Sequence, residues 1–511
     1  MSRTLTIDVP MNRVEGDLEV RAEFRDGVVE DAYSAGTLYR GFERILVGRA
    51  SRDGLVIAPR ICGICSTSHL TAAARALDMI SGVEAPPDAV RIRNLALMAE
   101  HLQSDMRQAF LMFAVDFPNP AYAGMDLHAE AIRRYEPFHG ETLVSVIRET
   151  KRIVELIAIL GGQWPHSSFI VPGGIVSVPG PSDLLQCRHL LEQYKRWYEE
   201  RILGCSVSRW REVQSARDLS AWLDEDARHR EGDLGFVLRF ARALGLDATG
   251  RGPGNFLSFG ALDLPAGTRV GAPANGAQLI PAGFARGTGV RSFDQARIAE
   301  HVAYSWFDDQ DGGRHPLAGE TRPHATGHES KKYSWAKAPR YEGLPAETGP
   351  LAEFLVAGNP LFTDLVREQG PSVLTRELAR IVRPASLLPA MEAWLAETTG
   401  DDFYRPVGDI VEGTGFGLTE ATRGALGHWV RIEKGRIERY QVISPTTWNA
   451  SPRDSSGTRG PMEEALVGTA VKDPQNPVEL GHIVRSFDPC LVCTVHAVSR
   501  GRKLGRLRVG A

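Results

Sequence analysis

The rhythm of apolar and polar positions changes several times along this chain, and each change predicts an element. The first 35 residues alternate, in Leu5-Thr-Ile-Asp-Val9 and again over 17–24 and 28–33, with glycine at the breaks; this predicts short antiparallel strands. From 88 to 117 the positions Ile92, Leu95, Met98, Leu102, Met106, Phe110 and Phe113 recur mostly at spacings of three and four. With Leu97 on another side, that pattern predicts a long helix apolar on most faces and therefore buried. Further helices are predicted over 141–160, 182–202 and 351–396. The texture between 250 and 345 is rich in Gly and Pro, which predicts an irregular insert with strands at 255–262 and 269–272. Strands at 429–432 and 437–442 flank a turn at Gly435. The fold class expected is α+β, predominantly α: a long central helix bundle with small antiparallel sheets at its periphery.

Composition narrows the function classes. An apolar fraction of 43% over 511 residues is enough for a large core. The near balance of 59 basic and 63 acidic residues gives no electrostatic footprint for nucleic acid. No run of about 18 apolar residues occurs, so no membrane-spanning helix is expected. The opening Met-Ser-Arg-Thr-Leu-Thr-Ile-Asp lacks the apolar segment of a secretory signal. A cytoplasmic location is the expectation, with export or membrane attachment only through a partner.

Cysteine changes the picture most. Four of the six cysteines lie in two Cys-x-x-Cys pairs, each followed by a histidine: Arg60-Ile-Cys-Gly-Ile-Cys65-Ser-Thr-Ser-His69 and Asp488-Pro-Cys-Leu-Val-Cys493-Thr-Val-His496. Soft thiolates select zinc, copper(I), iron clusters or nickel. A structural zinc site with four cysteines usually draws its pairs from within tens of residues, because the metal stands in for a missing core. Here the pairs lie more than 400 positions apart in a chain with ample core, so only folding can unite them, and a single domain over 1–511 is expected. Its parts would be N-terminal strands over 1–50, the insert over 250–345 and a C-terminal extension over 497–511. Cys187 and Cys205, outside the pairs, read as buried small hydrophobes.

Together these two motifs resemble the signatures of the large subunit of nickel–iron hydrogenases. Further matches are Arg13-Val-Glu-Gly16, Tyr39-Arg-Gly-Phe-Glu43, Glu420-Ala-Thr-Arg-Gly-Ala-Leu-Gly-His-Trp429 and Gln441-Val-Ile-Ser-Pro-Thr-Thr-Trp-Asn449, so the resemblance runs the full length. It implies that fold, with Cys62 and Cys490 as terminal nickel ligands and Cys65 and Cys493 bridging nickel to an iron that carries cyanide and carbon monoxide. Cys490 would accept the proton of heterolytic dihydrogen cleavage and Glu15 would gate its departure. His69 would hydrogen-bond a cysteine sulfur. Glu43, the carbonyl of Val442, and His496 would hold a magnesium or iron ion. Arg423, held by Asp105 and Asp488, would cover the open metal position; the family has Pro where this chain has Thr422.

Ile64 and Phe113, bulkier than Val and Leu in many relatives, resemble the hydrogen-sensing and cytosolic uptake branch, where they would narrow the gas channel. With so few cysteines left over, the resemblance implies an iron–sulfur small subunit as partner, docked near Glu15. A dimer of such heterodimers, a maturation endopeptidase acting after His496 and a regulatory kinase stay open. Two functions therefore stand: an uptake enzyme that oxidises dihydrogen, and a hydrogen sensor with the same centre.

Overall fold

The two ends of the chain meet in the first loop. In the computed structural model, which describes residues 4–271, 277–319, 321–327 and 330–494 with side-chain detail to Val492, the strands Thr4–Pro10, Leu18–Arg25 and Val28–Gly36 form an antiparallel sheet. Alternation along Leu18–Arg25 turns Leu18, Val20, Ala22 and Phe24 into the core. The loop that leaves the first strand then pairs with the far end of the chain: Glu15 N–H donates to the Pro489 carbonyl at 3.3 Å, and Leu491 N–H donates to the Glu15 carbonyl at 2.6 Å. Gly16 has φ +84°, and a Cβ there would sit 2.9 Å from Val492 N, so only glycine lets the two segments lie this close.

Three helices carry the centre. Pro87–Arg107 is buried around most of its circumference, as its apolar pattern predicts, and runs on into the π-helical turn Gln108–Phe113 and the 3-10 turn Ala114–Asp116. The long helix Val373–Glu397 packs against it, and Ser66–Ser81 packs on the sheet of Gly413–Ala421, Gly424–Glu433 and Arg436–Ile443. Gly417 makes that last contact possible: a Cβ would lie 1.9 Å from the Ala72 carbonyl oxygen. Among the described residues no helix is long and apolar enough to cross a membrane.

Several expectations shift. The helix foreseen over 141–160 is two, Glu141–Ile153 and Glu155–Gly161, because Val154 at ψ −12° interrupts the hydrogen-bond ladder. The segment over 182–202 is a helix, Pro181–Trp197, that widens into a π turn, Tyr198–Leu203. The region 351–396 holds three helices, Pro350–Val356, Pro360–Gln369 and Val373–Glu397. No strand forms over 269–271: Arg269 N–H donates to Glu397 Oε1 at 2.7 Å and Val270 N–H to Thr268 Oγ1 at 3.2 Å, so these donors are spent on side chains. Residue 272 and the extension over 497–511 lie outside the described residues. The stretch expected to be an irregular insert contains the sheet Asn255–Asp263, Gln278–Arg286 and Gly289–Arg291. Its Leu257, Phe259 and Phe284 share a core with Trp429, Ile443 and Trp448.

Glu463 illustrates how polar groups brace this core. It is fully buried in the helix Pro461–Leu466 and accepts from Ser34 N–H at 2.9 Å and Tyr333 Oη at 2.7 Å. Burial pushes its carboxyl up to about 7 against those hydrogen bonds. A folded pKa above the unfolded one gives stability that is full below the unfolded pKa and is lost as pH rises through the folded value. Stability should therefore fall between about pH 4.5 and above 7 by on the order of 3 kcal/mol from this group. Denaturant titrations at pH 5 and pH 8 should show that difference shrinking in Glu463→Gln, which has no proton to lose.

Candidate metal centre

Cys62 leaves a 3-10 turn, Ala58–Ile61, in extended conformation, and Cys65 is the N-cap of the helix Ser66–Ser81. The first turn of that helix is held by a buried carboxylate from another: Glu100 accepts from Thr67 N–H at 2.7 Å and from Ser68 N–H and Oγ at 2.9 and 2.7 Å. From the other end of the chain, Cys490 is anchored by its N–H donating to Thr446 Oγ1 at 2.9 Å and by the pairing of Pro489 and Leu491 with Glu15. Folding thereby brings Cys62 Sγ to 3.6 Å from Cys490 Sγ. That is contact distance, well beyond the roughly 2.05 Å of a disulfide. Cys62, Cys65 and Cys490 are all buried. Ile64 N–H points at Cys62 Sγ from 3.4 Å, a donor aimed at sulfur. The Cys493 side chain and His496 lie outside the described residues, as does any group of ligands they complete.

One cation ties both motifs together. Arg40 donates to the Ile61 carbonyl, just before Cys62, and to the Val492 carbonyl, just after Cys490, the latter at 2.6 Å. A second cation faces the sulfurs. Arg423 Nε lies 3.0 Å from Asp488 Oδ1, and although burial opposes its charge, Asp488 and then Cys490, Cys62 and Cys65 hold the guanidinium firmly protonated. Glu15, half-buried, is raised above the ordinary carboxylate range by burial and by Cys62, with Arg423 and Arg40 pulling the other way. A carboxyl so placed can hold a proton next to thiolates.

His69 donates its own N–H to the Cys65 carbonyl at 3.2 Å, and its ring belongs to a buried chain: Nδ1 lies 3.0 Å from His428 Nε2, and His428 Nδ1 lies 2.8 Å from Tyr440 Oη. Burial pushes His69 down to about 4, so the ring is neutral, and lifts Tyr440 far above its usual value, so the phenol keeps its proton. A hydroxyl donating to His428 places the next hydrogen on His428 Nε2 and the last on His69 Nε2, which finds no partner among the described residues. The opposite order would leave His69 Nε2 as a buried bare lone pair, with Cys62 nearby.

Asp105 is not where the resemblance put it. Its carboxylate is forked onto Arg383, at 2.9 and 2.7 Å, so Arg423 is paired with Asp488 and not with Asp105. Glu43 and Val442 do come together, with Val442 N–H donating to Glu43 Oε1 at 3.0 Å. Lys337 Nζ shares that oxygen at 3.0 Å and also reaches Glu300 and Gln441. Phe113 packs on Phe117 and His482, and Ile64 is partly buried between the first two cysteines. Sequence reading missed Arg40, Glu100, His428, Tyr440 and Arg383. Arg40 and His428 sit inside matched motifs and could have been found there; Glu100, Arg383 and Tyr440 carry no local signal.

Buried soft donors from both motifs, an N–H aimed at sulfur and two nearby cations make a cluster suited to a thiolate-bound metal such as nickel or iron. The comparisons agree. The family model for nickel-dependent hydrogenases matches residues 40–132 and 236–496. The periplasmic NiFeSe hydrogenase large subunit of Desulfomicrobium baculatum is 34% identical, over 97% of this chain and 95% of that protein. The hydrogenase-2 large chain of Escherichia coli K12 is 28% identical over 98% of both. The NiFeSe hydrogenase of Desulfovibrio vulgaris Hildenborough in its as-isolated oxidised state superposes with TM-score 0.82 at 30% identity, covering 97% of this chain and all of that one. This chain belongs to the nickel-dependent hydrogenase family, as a large subunit. The selenium in those relatives' names has no counterpart here, where both motifs carry cysteine.

The hydrogen order deduced for the histidine chain has a direct test. Tyr440→Phe should remove the donor to His428 and cost about 1–3 kcal/mol for a buried acceptor left unmet. Nitrogen-15 spectra of histidine-labelled protein should show His69 and His428 as Nε2–H tautomers in the parent chain and a mixture in the variant.

Proposed function

We propose that this chain is the catalytic subunit of an uptake hydrogenase, which oxidises dihydrogen to two protons and two electrons and delivers the electrons to iron–sulfur clusters in its small subunit. The observation that carries this reading is the contact of Cys62 and Cys490 sulfurs at 3.6 Å, beside a carboxyl raised above its normal range. Relatives named as uptake hydrogenases, such as that of Rhodobacter capsulatus at 28% identity over 96% of this chain, favour catalysis over signalling.

Cys62, Cys65, Cys490 and Cys493 would hold the centre. A nickel–iron pair with cyanide and carbon monoxide on the iron supplies, when bound, the site where dihydrogen is polarised. The protein's own groups manage the protons. Cys490 Sγ would take the first proton as the H–H bond separates, because a thiolate is a base. Glu15 is backbone-paired to the Cys490 segment and receives the proton next; its raised pKa lets it hold the proton without trapping it. Arg423 carries a permanent positive charge over the sulfurs and cannot itself be deprotonated, so it stabilises charge without competing for the proton. Glu43 and the Val442 carbonyl, with His496, would hold a magnesium or iron ion that pins the C-terminal segment. Burial keeps water away from Cys62, Cys65, Cys490 and Arg423.

Infrared spectroscopy of the purified heterodimer tests the reading, since metal-bound cyanide and carbon monoxide absorb where protein does not; a spectrum without such bands removes it. Cys65→Ser should abolish assembly, read as loss of both nickel and those bands. Glu15→Gln should keep metals and bands yet slow hydrogen–deuterium exchange between dihydrogen and water by about 100-fold or more, as expected for loss of a positioned acid–base group. Exchange at the parent rate would take Glu15 out of the proton route.

A further inference from the structure

The long helix Val373–Glu397 presents Arg376, Arg380 and Arg383 on one buried face, at the four- and three-residue spacings that align side chains on a helix. Arg376 is answered by Glu347 at 2.8 Å and Arg380 by Glu377 at 3.2 Å. Arg383 spreads its donors over two further helices and the turn that carries Arg423. Nε and one terminal nitrogen fork onto Asp105, in the helix Pro87–Arg107, at 2.9 and 2.7 Å. The other terminal nitrogen donates to Glu353 Oε1, in the helix Pro350–Val356, at 2.7 Å. The nitrogen bound to Asp105 Oδ1 also donates to the Thr422 carbonyl at 2.6 Å.

Thr422 and Arg423 form the tight turn between the strands Gly413–Ala421 and Gly424–Glu433, whose flanking Ala421 and Gly424 are directly paired. The carbonyl that Arg383 holds therefore belongs to the peptide bond joining Thr422 to Arg423. A two-residue turn has little slack, so the direction of that peptide sets where the Arg423 guanidinium stands relative to Asp488 and the cysteines. Asp105 bears on the same point. It is a fully buried carboxylate, and the bidentate fork commits it to Arg383.

We propose that Arg383 is a positioning residue for the dihydrogen reaction. By gripping the Thr422 carbonyl and keeping Asp105 to itself, it fixes the reach of Arg423 over the cysteine sulfurs and leaves Asp488 as the carboxylate that Arg423 meets. It touches neither substrate nor sulfur and acts through Arg423. This rests on the hydrogenase reading above. Displacement of a transition-state group by about 1 Å can cost about 100-fold in rate, so a restraint of this kind matters to turnover more than to binding.

The test uses the purified heterodimer with Arg383→Lys, Arg383→Met and the charge-balanced pair Arg383→Met with Asp105→Asn. Lysine keeps the charge and lacks the fork, and the double variant leaves no orphaned Asp105 charge, so both should assemble with nickel bound. Turnover should fall ~10–100-fold in Arg383→Met and in the double variant, while KM for dihydrogen changes by less than about twofold. Arg383→Lys should recover part of the loss, and the infrared bands of the centre should shift in each variant with nickel content unchanged. Parent turnover and unshifted bands in the double variant would overturn the proposal, since charge balance alone would then explain Arg383. Absence of nickel and bands from the parent heterodimer would instead refute the hydrogenase reading itself.

Discussion

The structure depends on holding cysteine sulfurs from segments more than 400 positions apart in one buried place. Once both are deprotonated to take a metal, two thiolates at 3.6 Å repel by roughly 5 kcal/mol at an effective dielectric of 20, and more where water is excluded. Backbone pairing of Glu15 with Pro489 and Leu491 supplies the geometric restraint that resists this, and Arg40 reinforces it by bonding a carbonyl beside each cysteine motif. The remaining charge needs cations. Arg423 provides one, and bound metal would provide the rest. A bound metal would therefore take the place of the thiol protons at a contact that the backbone already imposes.

Buried arginine is the second recurring device. Arg376 and Arg383, and the half-buried Arg40, each bind several acceptors from distant parts of the sequence, which suits a rigid planar cation with five donors, and Arg423 is held by the distant Asp488. Such pairs add little net stability over an apolar core, yet removal of one partner leaves a buried charge exposed to low dielectric. Their value here is positional. They fix turns and loops against helices whose packing is itself unyielding, and this gives the proton-handling groups definite places.

Much of this was legible in the residues. The Cys-x-x-Cys spacing, the alternating N-terminal strands and the apolar helix from 88 correspond to local patterns that survive folding. What stayed hidden was non-local or masked by composition. The strand Gly413–Ala421 escaped notice because glycine alternates through it, small where the helix Ser66–Ser81 presses close. Asp105 was assigned to the wrong arginine because three arginines on one helix offer partners that spacing cannot rank; the fork to Arg383 is a property of the packed helices. Glu100 resembles any helical glutamate until its carboxylate is seen capping another helix beside Cys65.

The central claim is that sulfur atoms from Cys62, Cys65, Cys490 and Cys493 surround a single nickel with iron as its near neighbour. Nickel-edge X-ray absorption of the purified heterodimer measures that environment directly. The account predicts a first shell dominated by sulfur with an iron scatterer behind it. A nickel shell of nitrogen and oxygen alone, or zinc in place of nickel in the purified protein, would contradict it.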